Sequence, residues 1–342
     1  MRIAVVAPVA MGVQPGVGES IEQLVWMLTE ELVRRGHRVT LFATGDSRTS
    51  AQLRSVYARG YEDEPGLWDW YFHETMHAGA VFERAGDFDV IHCHDYHFAL
   101  PFTRLTATPV VHTHHVEVNP DVREAYGRYP EVHLVVASEF QRSTLGGLPN
   151  VTVVPHGIDT GAFPFGAQAG DYLLFLGRMI ADKGPIHAVE AARALDMPLL
   201  LAGPGGDHYE ADVAPLVDGD RVQYLGRISP ARRDELLAGA AALLFPAVYP
   251  EPFGLVMIEA MACGTPVAAT AIGAAPELIE EDVTGACADS PAALPEAVAR
   301  ALALDRALIR ERAQKRFDYR RMVDGYEALY ATVATAHPGA AR

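Results

Sequence analysis

Basic residues are in short supply in this chain: 28 Lys and Arg stand against 44 Asp and Glu, a formal charge of −16. A nucleic-acid-binding protein needs a positive footprint, so nucleic acid is excluded as the main partner. The same charge argues against stable adhesion to an anionic membrane. No apolar run approaches the roughly 18–20 residues that span a bilayer, so no stable membrane insertion is expected. Cysteine is scarce too. Cys93, Cys263 and Cys287 lie far apart among apolar or small residues, an odd set that points to reduced thiols and a cytoplasmic setting rather than a disulfide framework. Cys93 and Cys263 have neither metal-ligand spacing nor a basic flank, and read as packing residues. The N-terminal run Met1 to Pro8 is too short for a signal peptide and reads as a buried first strand.

What remains is an ordinary globular composition, 49% hydrophobic and 21% charged, over 342 residues, which suits two domains. Short β-rich runs alternate with amphipathic stretches, the pattern of parallel sheets covered by helices. Strands are predicted over 2–8, 38–43, 89–92, 109–113, 132–136 and 151–154, and then over 172–176, 198–202, 222–225, 242–245 and 266–270. Ile21, Leu24, Val25, Leu28 and Leu32 recur at helical spacing, and Gly36 stops that helix. Further helices are expected over 186–195, 230–238, 292–304 and 317–333. Between Thr160 and Gly170 the composition turns to Gly, Ala and Pro without periodicity, which reads as a linker. The fold class expected is α/β, with two Rossmann-like doubly wound domains facing across a cleft. Ligands of open α/β sheets bind outside the carboxyl ends of the strands.

The stretch from Tyr249 to Val267 carries the densest chemistry. Glu251 sits in a Pro-rich loop and Glu259 eight positions later inside an apolar helix. Pro252 suits a first helical position, which would leave the N–H groups of Phe253, Gly254 and Leu255 pointing out of the helix start as an anion site fit for a diphosphate. Glu259, about two turns in, would reach ribose hydroxyls, and Glu251 would hold sugar hydroxyls. Taken alone, a solvated Glu251 and a salt-bridged Glu259 in an amphipathic helix explain the spacing equally well. Gly177-Arg178 closes a predicted strand and Lys183-Gly184 opens the next helix. An Arg and a Lys in one such loop form a cationic clamp for a leaving diphosphate, although a random pair of this kind is usually solvated. Gly203, in Ala202-Gly203-Pro204-Gly205, is a tight turn where backbone can approach a ligand. Histidines end two strands of the first half, at Ile91-His92-Cys93-His94-Asp95 and His112-Thr113-His114-His115.

Together these elements resemble the retaining glycosyltransferases of family 4 (group 1), whose mark is Glu-x7-Glu. The resemblance covers nearly the whole chain and is strongest from Val153 to Glu277. It implies the GT-B fold: an acceptor-side domain over 1–162, a nucleotide-sugar domain over 163–319, and a C-terminal helix over 320–342 packing back on the first domain. It implies a hexosyltransferase-type enzyme that moves a sugar from a nucleoside-diphosphate sugar, UDP- or GDP-linked, to an acceptor hydroxyl, with no cofactor and no metal. Arg178 and Lys183 then match the diphosphate loop. His115 matches the active-site histidine, and Arg227, in Leu225-Gly226-Arg227, lies by the base-contacting loop. Glu277 matches a recurrent Glu, and His156-Gly157-Ile158-Asp159 stands for an Asn-Gly-Ile-Asp segment. One place departs. The family's Gly-Gly-x-Glu positions fall here on Glu19-Ser20-Ile21-Glu22, with glycines earlier at Gly12, Gly16 and Gly18. Glu22 and Gly18 are the acceptor-side candidates that this register leaves.

Three other classes are weighed. His92-x-His94 resembles half of a zinc site and suggests a metal-dependent hydrolase, but the second half offers only His187 and His208 as partners. A nicotinamide enzyme fails because Gly16-x-Gly18 is followed by Ile21 where a third glycine belongs. A GT-B epimerase or a non-catalytic nucleotide-sugar binder would share the shape but not the reaction.

Overall fold

The computed structural model describes residues 1–16, 20–63 and 69–336. The chain divides into two compact units, one of Met1–Gly157 with Tyr319–Arg342, the other of Ile158–Asp318. In the first unit the elements run β1 (Arg2–Val6), α1 (Ser20–Arg34), β2 (Arg38–Phe42), β3 (Gln52–Arg54), α2 (Trp70–Phe82), β4 (Val90–Cys93), β5 (Val110–Thr113), α3 (Pro120–Arg128), β6 (His133–Val136), α4 (Glu139–Thr144) and β7 (Val151–Val153). All seven strands are parallel, in the order β3-β2-β1-β4-β5-β6-β7. The order reverses beside β1, and doubly wound sheets place functional loops at such a switch. The central strands β1, β4, β5 and β6 are buried on both faces, so they read as mostly apolar runs rather than alternating ones, whereas the edge strands β3 and β7 are half-buried or exposed.

The second unit holds β8 (Leu173–Leu176), α5 (Pro185–Ala194), β9 (Leu199–Ala202), β10 (Val222–Tyr224), α6 (Pro230–Gly239), β11 (Ala242–Phe245), α7 (Leu255–Ala262), β12 (Val267–Thr270), α8 (Ala275–Leu278), β13 (Gly285–Ala288), α9 (Leu294–Ala301) and α10 (Arg306–Phe317). Its six parallel strands are ordered β10-β9-β8-β11-β12-β13. Leu173, Leu201, Leu244, Ala268, Val189 and Val298 meet in its core. The Gly/Ala/Pro stretch that composition marks as a linker is laced to this unit: Gly166 N–H donates to Cys263 O (3.0 Å) and Gly170 N–H to Gly239 O (2.9 Å).

The final helix, α11 (Tyr319–Ala336), belongs to the first unit and packs on α1. Arg35 bridges to Asp324 and Glu327 (both 2.7 Å), and His37 to Glu327 (2.8 Å). The helix expected over 317–333 is α11, which starts two residues later. Asp318 is extended (φ −63°, ψ 132°), so α10 ends at Phe317 and α11 starts at Tyr319. No helix among the described residues is long and apolar enough to cross a membrane.

Candidate active site

The second unit assembles its polar residues on the loops after β8, β9, β10 and β11. Backbone bonds join these loops: Gly177 N–H donates to Ala202 O (3.0 Å) and Gly203 N–H to Gly226 O (2.8 Å). Gly203 has φ +139°, and a Cβ there would lie 1.9 Å from Gly177 O. Its identity is therefore required by loop-on-loop contact, whatever it does toward a ligand. On the other side, Val248 N–H donates to Asp182 O (2.9 Å), and Gly184 (φ +69°) would drive a Cβ to 2.0 Å from Pro246 O. Gly184 is thus the pivot that brings the loop carrying Lys183 against the loop carrying Glu251.

The consequence is an ion pair. Lys183 Nζ donates to Glu251 Oε1, with both side chains about four-fifths buried. The clamp lysine and the candidate sugar-binding carboxylate are one coupled unit, which their sequence distance does not reveal. Gly273 braces the backbone that carries this carboxylate: Ala274 N–H donates to the main-chain carbonyl of Glu251 (3.0 Å), and Gly273 has φ +62°. A Cβ on Gly273 would sit 2.5 Å from Glu251 N. Gly273→Ala should therefore lose more stability than Gly219→Ala, whose φ of +78° is similar but whose Cβ meets nothing. Left-handed strain costs each about 1–3 kcal/mol, and only Gly273→Ala adds the clash. Thermal unfolding of the two variants checks this, and equal losses would show that the brace is dispensable.

Arg178 and Arg227 are exposed. Among the described residues of the second unit, every other arginine side chain has a hydrogen-bond or ion-pair partner, whereas these two side chains have none. Glu259 on α7 is paired with Arg233 Nη1 at 3.3 Å. Arg233 also donates to Asp234 Oδ1 (2.9 Å) and stacks 5.4 Å over Phe163. Burial raises the Glu259 carboxyl above its ordinary range, against the pull of Arg233. Arg233 was missed from the sequence. Its signal, an Arg-Arg pair in the first turn of α6, is weak by itself.

One expectation is corrected. Pro252 is not the first helical residue, because Gly254 adopts φ +103° and caps a helix that starts at Leu255. Pro252 and Phe253 lie in the loop, and Phe253 is buried edge-on against Phe317 (6.5 Å). The amides at the helix start are thus those of Leu255 and Val256, and Phe253 serves packing.

In the first unit His92, His94, His112, His114 and His156 are buried, and the half-buried His115 lies beside them. His92 uses both nitrogens, Nδ1 with Tyr330 OH (2.5 Å) and Nε2 with Thr113 Oγ1 (2.7 Å), and Thr113 meets Tyr326 OH at 3.1 Å. A zinc-ligand role for His92 would break these bonds. No group of three or more His, Cys, Asp or Glu among the described residues is arranged to hold a metal ion. His94 Nδ1 and His115 Nε2 share a hydrogen bond of 2.9 Å, and the rings of His94, His115 and His156 stack in series at 5.1 and 5.2 Å. Burial, reinforced by the neighbouring imidazoles, holds His115 well below the usual imidazole range. At neutral pH it is an uncharged hydrogen-bonding group. Glu22 on α1 is 3% exposed and adds to the field that Asp95 and burial exert on Glu74, whose carboxyl is pushed up to about 8, burial being the main cause. Gly18 and Glu19 lie outside the described residues.

Two α/β units with parallel sheets, polar loops at strand ends and a final helix returning to the first unit are the elements of the GT-B fold, and comparison with known proteins agrees. Residues 21–162 match the model of glycosyltransferase family 4 and residues 166–319 that of glycosyl transferases group 1. The chain is similar to a D-inositol 3-phosphate glycosyltransferase of Mycobacterium sp. (strain JLS), 30% identical over 81% of this chain and 76% of the relative. It is also similar to a phosphatidyl-myo-inositol mannosyltransferase of Mycobacterium leprae (strain TN), 26% identical over 98% of each. Among solved structures, AviGT4, a glycosyltransferase involved in avilamycin A biosynthesis, superposes with a TM-score of 0.76 at 25% identity over 98% of each chain. The chain belongs to the group 1 glycosyltransferases, family 4, and is an enzyme of the hexosyltransferase type.

Proposed function

We propose that this enzyme transfers a sugar from a UDP- or GDP-linked donor to an acceptor hydroxyl, with retention at the anomeric carbon and without a metal ion. The observation that carries this reading is the pair of unpartnered guanidiniums, Arg178 and Arg227, on loops that follow two strands of the same sheet, β8 and β10. A diphosphate supplies the charge that Arg178 lacks, and it competes with Glu251 for Lys183. The amides at the start of α7 add a third source of positive potential.

In the reaction so proposed, the bond from the anomeric carbon to the phosphate oxygen breaks as the acceptor hydroxyl approaches on the same face. The departing phosphate oxygen takes the hydroxyl proton, so no side-chain base is required. Arg178 and Lys183 stabilise the charge developing on the diphosphate. Glu251 holds hydroxyls of the transferred sugar, and Glu259, oriented by Arg233, holds ribose hydroxyls. Arg227 and Gly203 are assigned to the nucleoside end. In the first unit His115, as a neutral imidazole, is assigned to hydrogen bonds with the reacting sugars, and Glu22 to the acceptor side. Two relatives are named for inositol-bearing molecules, so a cyclitol hydroxyl is the first acceptor to try.

The two carboxylates separate the assignments. Glu259→Ala should weaken binding of free nucleoside diphosphate by roughly tenfold, the size of one lost charged hydrogen bond. Glu251→Ala should spare that affinity, or improve it by releasing Lys183, while transfer falls. Calorimetry with free UDP and GDP against both variants measures this, and equal loss in the two would sink the division of roles.

A further inference from the structure

The first unit contains a groove that none of the roles above uses. It encloses about 460 Å³ and is lined by Arg2, Arg38, Arg54 and Arg84, with Thr40 and Gln52 between them. The register explains the convergence. Thr40 of β2 pairs with Gln52 of β3, and Phe42 with Arg54. Side chains alternate along strands, so Arg38 and Thr40 share one sheet face with Gln52 and Arg54. Phe88, buried edge-on against Phe42 at 5.8 Å, also lines the groove.

Charge is what sets the groove apart. Arg2 is held by Asp89 (2.6 Å) and Arg84 by Asp87 (2.7 Å). Arg38 and Arg54 have no side-chain hydrogen bond or ion pair among the described residues. Four guanidiniums against two carboxylates leave a local charge of +2, in a chain whose formal charge is −16. Like charges gathered in one concavity repel, and folding gains nothing from two forks that hold no partner. Guanidinium forks match phosphoryl oxygens two at a time, and the volume is that of a small-molecule site.

We propose that this groove is a second anion site, which takes a small molecule bearing at least two phosphoryl groups between Arg38 and Arg54. It lies in the first unit, whereas Arg178 and Lys183 lie in the second, so it does not rest on the donor assignment. Inorganic tripolyphosphate is the probe, titrated calorimetrically into the full chain carrying Arg178→Ala to weaken the other cationic site. Saturable one-to-one binding is expected. Adding Arg38→Gln and Arg54→Gln should weaken it at least tenfold without lowering the melting temperature, because neither side chain holds anything in the fold. No saturable binding, or the same affinity with and without the glutamines, overturns the site. Citrate binding as tightly as tripolyphosphate overturns the phosphoryl class.

Discussion

Arg178→Ala is expected to lower sugar transfer by on the order of a hundredfold or more and to leave the melting temperature where it was. The two halves of this expectation have one origin. Arg178 is exposed and bonds to no other described side chain, so its removal deletes nothing from the folded state. A charge aimed at developing phosphate charge contributes about 2.7–4 kcal/mol when it acts in the transition state, as removal of oxyanion donors indicates. Lys183→Ala should lower transfer comparably but should differ in stability, because it leaves the partly buried Glu251 without its ion-pair partner. Paired measurements of turnover and thermal unfolding on both variants separate these outcomes. Near-normal turnover in Arg178→Ala, once a donor is in hand, removes the clamp from the mechanism.

Acidification from pH 7 to pH 5 is expected to lower the melting temperature of the first unit by on the order of 10 °C, by the usual conversion of several kcal/mol into a transition shift. Burial drives His114 and His156 down to about 4, and burial with imidazole neighbours holds His92, His94 and His115 well below their ordinary value. The unfolded chain binds these protons below about pH 6.5 and the folded chain does not. Stability is therefore full above the unfolded value and is lost as pH falls, at about 1.4 kcal/mol per imidazole per pH unit. Glu74 works in the opposite sense. Its folded carboxyl titrates at about 8, so it contributes stability at low pH that fades as pH rises from its unfolded value through 8. Glu74 opposes seven imidazoles, since burial lowers His77 and His97 as well, so maximum stability lies near neutral pH. Calorimetric unfolding across pH 4.5–8.5 tests the sign, and His156→Asn should flatten the acid limb by about one proton. A transition that does not move between pH 7 and 5 would show that the network takes up protons without cost.

Much of this architecture is readable in the chain because buried parallel strands are written as short apolar runs. The expected strand over 242–245 coincides with β11, and the other predicted strands differ from the observed ones by a residue or two at an end. Two strands escape for physical reasons. β3 is three residues of Gln-Leu-Arg at a sheet edge, and β13 is Gly-Ala-Cys-Ala, without a β-branched residue. Gly285 belongs in β13 because a Cβ there would meet Val267 O at 2.2 Å, a contact no local pattern encodes. Helix α2 escapes because its aromatic residues Trp70, Tyr71 and Phe72 face outward and blur the apolar stripe. The candidate site divides in the same way. Arg178, Lys183 and Glu251 are visible as residues in loops at strand ends. Their relations are not, because the Lys183–Glu251 pair depends on a left-handed Gly184 and on Gly273 bracing a chain 22 positions away. Helix α7 starts at Leu255 rather than at Pro252 because the left-handed Gly254, not the proline, caps it.

The central claim is that the second unit holds a nucleoside diphosphate with its own cations. Its most direct test is calorimetric titration of UDP and GDP into the full chain in the presence of EDTA, with Arg178→Ala as the comparison. Saturable binding of one of the two nucleotides in EDTA, weakened at least tenfold in Arg178→Ala, is the predicted result. Binding that appears only when magnesium or manganese is restored, or that is untouched by Arg178→Ala, would contradict it.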